Sequence, residues 1–398
     1  MSPHWLALRT ILLGRPRSVL AILVIAASLC VLDLFSGHLA SERGRLEYQA
    51  VMGERLGHLA IFRAGTAQDG SAQSKAFDAA EAAQVKRIAE TSGGVALVMP
   101  QMSVSGIAYT GKRSALFFGE GIGTANVAPE LPGKLDPKRR KGIALSSGQA
   151  QSLGLRSGAS VTLMGATVDA AAMPLNAEVV DVFSTADFGT GARSLLMPFD
   201  MAQNLLDTAR TERFVVYLSD PKQLEARRLA LLAALRKAGL QVEIRSWQEQ
   251  SPAYAKEKRE SELSLDSVAG MVFAVIAATI AATVSMNALE RRREVATLRA
   301  LGMHSSRVFL MFSAEAMWMA SIGVLCSLAG SGVISWVVNR AALSYSTHHA
   351  LRRAAMLVEL DFERMAMAVV AAVAVALLAS LVPAFKAART DVADGLAA

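Results

Sequence analysis

The sequence predicts a membrane protein with four transmembrane α-helices and an α+β domain inserted between helices 1 and 2. Three observations carry that prediction. The 398 residues are 53% hydrophobic, with a mean hydropathy of +0.35. That is too apolar for an ordinary soluble protein. Four runs approach the roughly 20 apolar residues that cross a hydrocarbon core of about 30 Å. The stretch from about Gly37 to Glu262 holds no such run and mixes apolar with polar residues.

The first element, 1–36, is a basic N-terminus and helix 1. Ser18–Leu32 is uncharged and extends past Asp33 to Ser36. Basic residues before an apolar run also mark signal peptides. His38-Leu-Ala-Ser-Glu42 is a poor cleavage site, so a retained anchor is expected. Residues 37–247 follow as the inserted domain. Helices are expected at Phe77–Thr91, Leu145–Leu153 and Leu224–Ala238, stopped by Gly93-Gly94, Gly154 and Gly239. Strands are expected at Val95–Met99, Met102–Tyr109, Ala115–Phe118, Ser160–Met164, Ala177–Phe183, Ser194–Met197, Arg213–Leu218 and Gln241–Arg245. The polar segment 248–265 reads as a helical stalk leading into helix 2 at 266–289. A loop at 290–307, helix 3 at 308–339, a loop at 340–364, helix 4 at 365–387 and a tail at 388–398 complete the order. In helix 4, Pro383 is expected to kink or end the span.

Charge sets the orientation. Arg9, Arg15 and Arg17 precede helix 1. The 290–307 loop carries Arg291, Arg292, Arg293, Arg299 and Arg307 against Glu290 and Glu294. Lys386 and Arg389 in the tail face Asp391 and Asp394. These segments hold nearly all of the net charge of +7, and the positive-inside rule places them in the cytosol. The opposing 340–364 loop also has basic residues (Arg340, Arg352, Arg353 and Arg364), only partly offset by Glu359, Asp361 and Glu363. The basic balance is a topology signal and not one of nucleic-acid binding. Cys30 and Cys326 both fall in apolar runs, so the inserted domain, at roughly 225 residues, is held by its core and not by disulfides.

No catalytic constellation emerges. Of His4, His38, His58, His304, His348 and His349, only the last two are near neighbours, and adjacent side chains point apart. No metal or cofactor is expected. Asp181 and Asp187 read as turn and surface residues. Two segments mimic nucleotide motifs. Gly106-Ile-Ala-Tyr-Thr-Gly111-Lys112-Arg113 nearly matches a phosphate loop, but Arg113 supplies no hydroxyl for magnesium. It reads better as a turn between strands. Leu145-Ser-Ser-Gly-Gln149 is close to LSGGQ but lies too near Lys112 for an ATPase fold. The chain is not expected to hydrolyse ATP.

The loop 290–307 is the candidate site. Glu290, Glu294, Leu298 and Leu301 recur at helical spacing, so helix 2 is expected to continue outward until Gly302. Ser305 or Ser306 would cap helix 3. Charge alone fits a loop that only sets topology. Val295, Leu298 and Leu301-Gly302 make a small apolar stripe, and the apolar edge of Leu298, Leu301 and Met303 suits a protein partner. Glu315, near the start of helix 3, is expected to snorkel or pair with an arginine more than to relay protons.

Glu290-Arg-Arg-Arg-Glu294 with Leu298-Arg-Ala-Leu-Gly302, then Glu315, resembles the core of the FtsX/MacB-type permeases. Pro383-Ala384 with Ala387-Ala-Arg389 and Gly395-Leu396 is similar to that family's C-terminal pattern, departing from it at Thr390-Asp-Val392. Gly142–Leu145, Leu153-Gly154, Gly158–Thr162, Val179–Phe183 and Leu195–Pro198 resemble the MacB-type periplasmic core. The resemblance implies an inner-membrane permease of bacteria with an α+β periplasmic domain. It implies a homo- or heterodimer that binds two copies of a separate ABC ATPase, which itself binds ATP–Mg. Docking would fall on Glu290, Arg291, Arg292, Glu294, Leu298, Arg299, Leu301, Gly302, Met303, His304 and Arg307. Three roles stay open: lipoprotein release with a periplasmic carrier, suggested by Gly57-His-Leu-Ala-Ile61; MacB-like export with a periplasmic adaptor; or an FtsX-like scaffold that activates cell-wall hydrolases without transport.

Overall fold

The four apolar runs each become a long helix. A computed structural model describes residues 16–65, 76–123, 133–135, 139, 141–165, 174–183, 194–341, 344–345, 354–355 and 357–389. Arg9, Arg15, His4, Asp187, the His348-His349 pair, Arg352, Arg353 and the tail from Thr390 lie outside them. The chain divides into two compact units: Met1–Gly44, Lys258–Tyr345 and Ala354–Ala398, and Arg45–Glu257 with Ser346–Arg353.

The membrane unit is built from the helices α1 (Pro16–Tyr48), α7 (Pro252–Glu290), α9 (Ser305–Ala341) and α10 (Phe362–Ala388). All four are long and apolar enough to cross a bilayer. Each apart from α10 outruns its apolar stretch. In α7 no proline after Pro252 and no glycine before Gly270 interrupts a run of good helix formers. The expected stalk and helix 2 are therefore one helix, starting with proline at its first position, where the missing N–H costs nothing. Ile25 and Leu29, Ile276 and Ile280, Phe312 and Met319, and Ala372 and Ala376 form the common core. Ala372, Ala376, Ser380, Ala384 and Ala388 are all buried and recur every four residues along α10. Such a stripe of small residues lets helices approach closely in lipid. Pro383 does not end the span, because α10 runs through it to Ala388.

Several buried polar side chains in this unit are paired across segments. Asp33 is 5% exposed and its carboxylate accepts a hydrogen bond from Ser327 Oγ at 3.1 Å. Ser335 Oγ and Asn339 Nδ2 both donate to the Val358 carbonyl, at 2.8 and 3.0 Å. Each of these bonds joins segments remote in sequence, and in an apolar medium an unmade bond is costly.

The inserted domain follows α1 after a π-helical turn at Gln49–Gly53. Its elements are β1 (Leu59–Arg63), α2 (Ala79–Thr91), β2 (Val95–Tyr109), β3 (Ser114–Ile122), β4 (Gly142–Ser146), α3 (Ser147–Leu153), β5 (Ser160–Gly165), β6 (Pro174–Phe183), β7 (Ser194–Pro198), α4 (Phe199–Leu206), β8 (Arg213–Leu218), α5 (Leu224–Lys237), β9 (Val242–Ser246) and α6 (Trp247–Gln250). One sheet has the order β3-β7-β4-β6-β5-β2-β8-β1-β9, and β3 pairs back with β2. Six strands thus close a barrel, while β2-β8-β1-β9 continues as an open antiparallel sheet. With α2 and α5 this open part is a split βαβ arrangement, and the barrel is inserted between β2 and β8.

Strand β2 belongs to both halves. Residues 95–101 pair with β8 and residues 101–109 pair with β3. The two strands expected either side of Pro100 are one strand, and Pro100 sits next to the residue where partners change. The barrel core includes Val104, Phe117, Leu145, Leu163 and Leu195. The open sheet packs Leu59, Ile61, Phe214 and Ile244 against Val85, Ala89, Leu231 and Leu235 of its helices. Leu145, expected in a helix, lies in β4 and is fully buried. The helix begins after Ser146, whose Oγ accepts the Gln149 N–H. β1 and α4 have no counterpart in the sequence reading. β1 is central and its first four residues are buried, so it lacks alternation.

Candidate docking site at the α7–α9 connection

Asn287 lies in the last turn of α7 and is 2% exposed. Its Nδ2 donates to Glu315 Oε1 of α9 at 2.7 Å. Glu315 is itself 1% exposed. Of the two expected outcomes, snorkelling or a structural pair, the carboxyl does not snorkel: it is buried, and it pairs with an amide. Two buried polar groups that satisfy each other are cheaper than either alone among apolar side chains. Three residues on, Glu290 forms an ion pair with Arg17 in the first turn of α1.

The helix is interrupted at Arg291 and resumes as α8, Arg292–Ala300. Ladder bonds continue across the break, from Arg291 N to Asn287 O at 3.1 Å and from Val295 N to Arg291 O at 2.9 Å. Arg291 also faces Glu294 at 3.9 Å. Val295 and Ala296 are buried, and Val295 joins the core of the membrane unit. Val295, which shares the predicted apolar stripe with Leu298 and Leu301, is turned inward. Arg293 and Thr297 face outward, and Arg292 and Arg299 are half-buried.

The end of α8 is set by Gly302, at φ +95°. Met303 N donates to Leu298 O and Gly302 N to Arg299 O, both at 3.0 Å. These paired bonds form the glycine-terminated helix stop called a Schellman motif. The stop leaves Leu301 at the apex, 81% exposed, with Leu298 beside it at 36%. Met303 packs partly against the membrane-unit core. The cap of α9 is His304 and not a serine, for its Nδ1 accepts the Ser306 N–H at 3.4 Å and contacts Ser306 Oγ at 3.0 Å. Arg307 is exposed in the first turn of α9.

The structure therefore brings together Glu290, Arg291 and Glu294 at the root, and Leu298, Leu301 and Gly302 at the tip. Sequence reasoning passed over Asn287 and used Arg17 only as a topology charge. Asn287 had a signal, since it is the one amide side chain near the end of an uncharged run. The end of α7 is fastened to α1 through Glu290 and Arg17 and to α9 through Asn287 and Glu315, and α8, which continues from it, is held to the core through Val295.

The two nucleotide-like segments have other geometry. Tyr109–Arg113 is the β2–β3 turn, with Thr110 N bonded to Arg113 O at 3.0 Å and Gly111 at φ +81°. Leu145–Gln149 is the β4–α3 junction. Among the described residues no three His, Cys, Asp or Glu side chains group to hold a metal ion.

Residues 267–392 match the family described as FtsX-like permease C-terminal. The matched stretch covers α8, α9, α10 and all but the first part of α7, so the connection between α7 and α9 lies within it. No curated protein matches the sequence. Solved structures overlap the chain in part. The extracellular domain of the noncanonic ABC-type transporter YknZ from Gram-positive bacteria is 16% identical, covering 47% of this chain and 99% of that one, with a TM-score of 0.34. The periplasmic region of MacB from Actinobacillus actinomycetemcomitans is 16% identical, covering 50% of this chain and 95% of that one, with a TM-score of 0.37.

Proposed function

We propose that this chain is the permease subunit of an ABC transporter in a bacterial inner membrane. In this reading both termini and α8 lie in the cytosol and the inserted domain lies in the periplasm. The orientation follows the basic residues, including Arg17, Arg291–Arg293, Arg299 and Lys386. The permease acts as a dimer with two copies of a separate ATPase, which binds ATP–Mg. Closure of the ATPases pulls on α8, and the pull reaches the periplasmic domain along α1 and α7. The work done there releases or exports a lipoprotein, lipid or other periplasmic substrate, without the substrate having to cross the inner membrane.

The observation that carries the reading is the exposed Leu298–Leu301 edge on a short helix that is held to the core by Val295 and continues from the end of α7, itself fastened to α1 and α9. A loop that only sets topology needs neither the apolar edge nor the fastening. The test replaces the edge. Leu301→Asp and Arg299→Glu are expected to abolish stimulation of the partner ATPase, while membrane insertion and expression stay at wild-type levels. Full stimulation in both variants would return the loop to a topology signal.

A further inference from the structure

We propose that Asp33 holds a monovalent cation inside the membrane unit, between α1 and α9. Its carboxylate is buried and lies against the middle of a span, for its partner Ser327 stands at the centre of the uncharged run Ala316–Asn339 of α9. Ser331, one turn further on and fully buried, bonds the same carboxylate. Two hydroxyls satisfy its hydrogen bonds and leave its charge. Among the described residues no ion pair reaches it, and those of this unit are made by others, Arg43 with Glu262 and Arg364 with Asp361 among them. The titratable neighbour on α1 is the free thiol of Cys30, one turn earlier. α7 and α10 bring apolar side chains to the shared core, Val272 and Ile276 from one and Ala372 and Ala376 from the other. Glu359, on the segment that follows α9, is exposed. A lone charge so placed is costly, so it takes up a compensating cation.

A polar path leads to the site. Ser327, Ser331, Ser335 and Asn339 recur at every fourth residue of α9, on one face. The three serines are buried and Asn339 is exposed, so the path runs about 18 Å from the helix end to the carboxylate. α1 adds Ser36, also buried, one turn beyond Asp33. The Val358 carbonyl covers the outer part, held there by Ser335 and Asn339. Asp33, Ser327 and Ser331 offer only hard oxygen atoms, which suit a proton or a sodium ion and not a soft metal. Either one neutralises the carboxylate. That the path opens to the periplasm rests on the orientation proposed above, but the site itself does not depend on it.

The test follows the thermal midpoint of the full chain in detergent, for the wild type and for Asp33→Asn, which keeps the shape and removes the charge. If the cation is sodium, replacing N-methylglucamine chloride with sodium chloride at fixed pH and ionic strength is expected to raise the wild-type midpoint by about 2–4 °C. If it is a proton, sodium has no effect, and the wild type is expected to gain on Asp33→Asn as the pH is lowered. Comparison with the variant cancels the groups that titrate elsewhere in the chain. Ser327→Ala, which keeps the charge and removes one oxygen, is expected to shift the half-point of whichever response the wild type shows. A wild type that responds to neither cation overturns the proposal. So does a response of equal size in Asp33→Asn, or one whose half-point Ser327→Ala leaves in place.

Discussion

Single buried polar groups mark where this protein is sensitive. His58 is buried in the inserted domain, and its Nδ1 accepts the Leu218 N–H at 3.0 Å. Burial lowers its pKa below 6.5. The neutral ring is the folded form, so between the folded and unfolded pKa values the unfolded chain binds more protons. Stability is full above about pH 6.5 and is lost as pH falls through the folded value. The thermal midpoint of the inserted domain is expected to drop on acidification from pH 7.5 to 5.5, and His58→Asn, which keeps an acceptor that does not titrate, is expected to flatten that drop. Neighbouring groups respond to the same burial. Glu54 is pushed up by burial and then by Glu120, and the Tyr217 hydroxyl is pushed up to about 12, chiefly by burial. In the membrane unit, the Asn287–Glu315 bond is a matched pair. Replacing either residue alone with Leu is expected to cost about 1–3 kcal/mol, since one buried polar group is left behind. The double replacement is expected to be more stable than either single one in a thermal melt of the detergent-solubilised protein.

At the scale of elements, the packing of α1 against α9 depends on one glycine. A Cβ at Gly323 would lie 2.7 Å from Ile25 Cγ2 and 3.0 Å from Ile25 Cβ. Gly323→Ala is expected to lower the yield of monodisperse protein on size exclusion, and adding Ile25→Ala is expected to restore it. A lone defect at Gly323 with no rescue would show that the glycine is needed for another reason. The C-terminal end of α8 is legible in sequence, because Gly302 supplies the left-handed residue a Schellman stop requires, whereas the interruption at Arg291 is not. The inner face of α8 was not either, because Val295 and Leu298 are equally apolar and only the neighbouring helices decide which is covered. The same holds for Leu145, whose buried strand position depends on β6 and β7 standing beside it.

At the scale of the molecule, the inserted domain has cores of its own. The barrel and the open sheet each enclose a separate hydrophobic cluster, and Trp247, 1% exposed, packs edge-on against Tyr254 at 4.4 Å. A fragment of residues 45–257 is therefore expected to fold alone as a soluble protein, with a cooperative transition followed by near-ultraviolet circular dichroism. A fragment lacking that transition would mean that the membrane helices complete its core. The Arg213 guanidinium links the two halves, bonding Glu120 of β3 at 2.8 Å and Gln101 of β2 at 3.2 Å.

By itself the sequence determined the four spans, the class of the inserted domain and the position of the candidate loop. Those follow from hydropathy, from charge and from glycine stops, all of which act over a few neighbouring residues. Tertiary structure decided what depends on remote partners. It closed the barrel through β2 and β3, gave Glu315 an amide partner 28 positions away, and turned Val295 in while leaving Leu301 out. A buried polar pair or an exposed leucine is defined by what stands opposite it, and one strand of sequence does not carry that information.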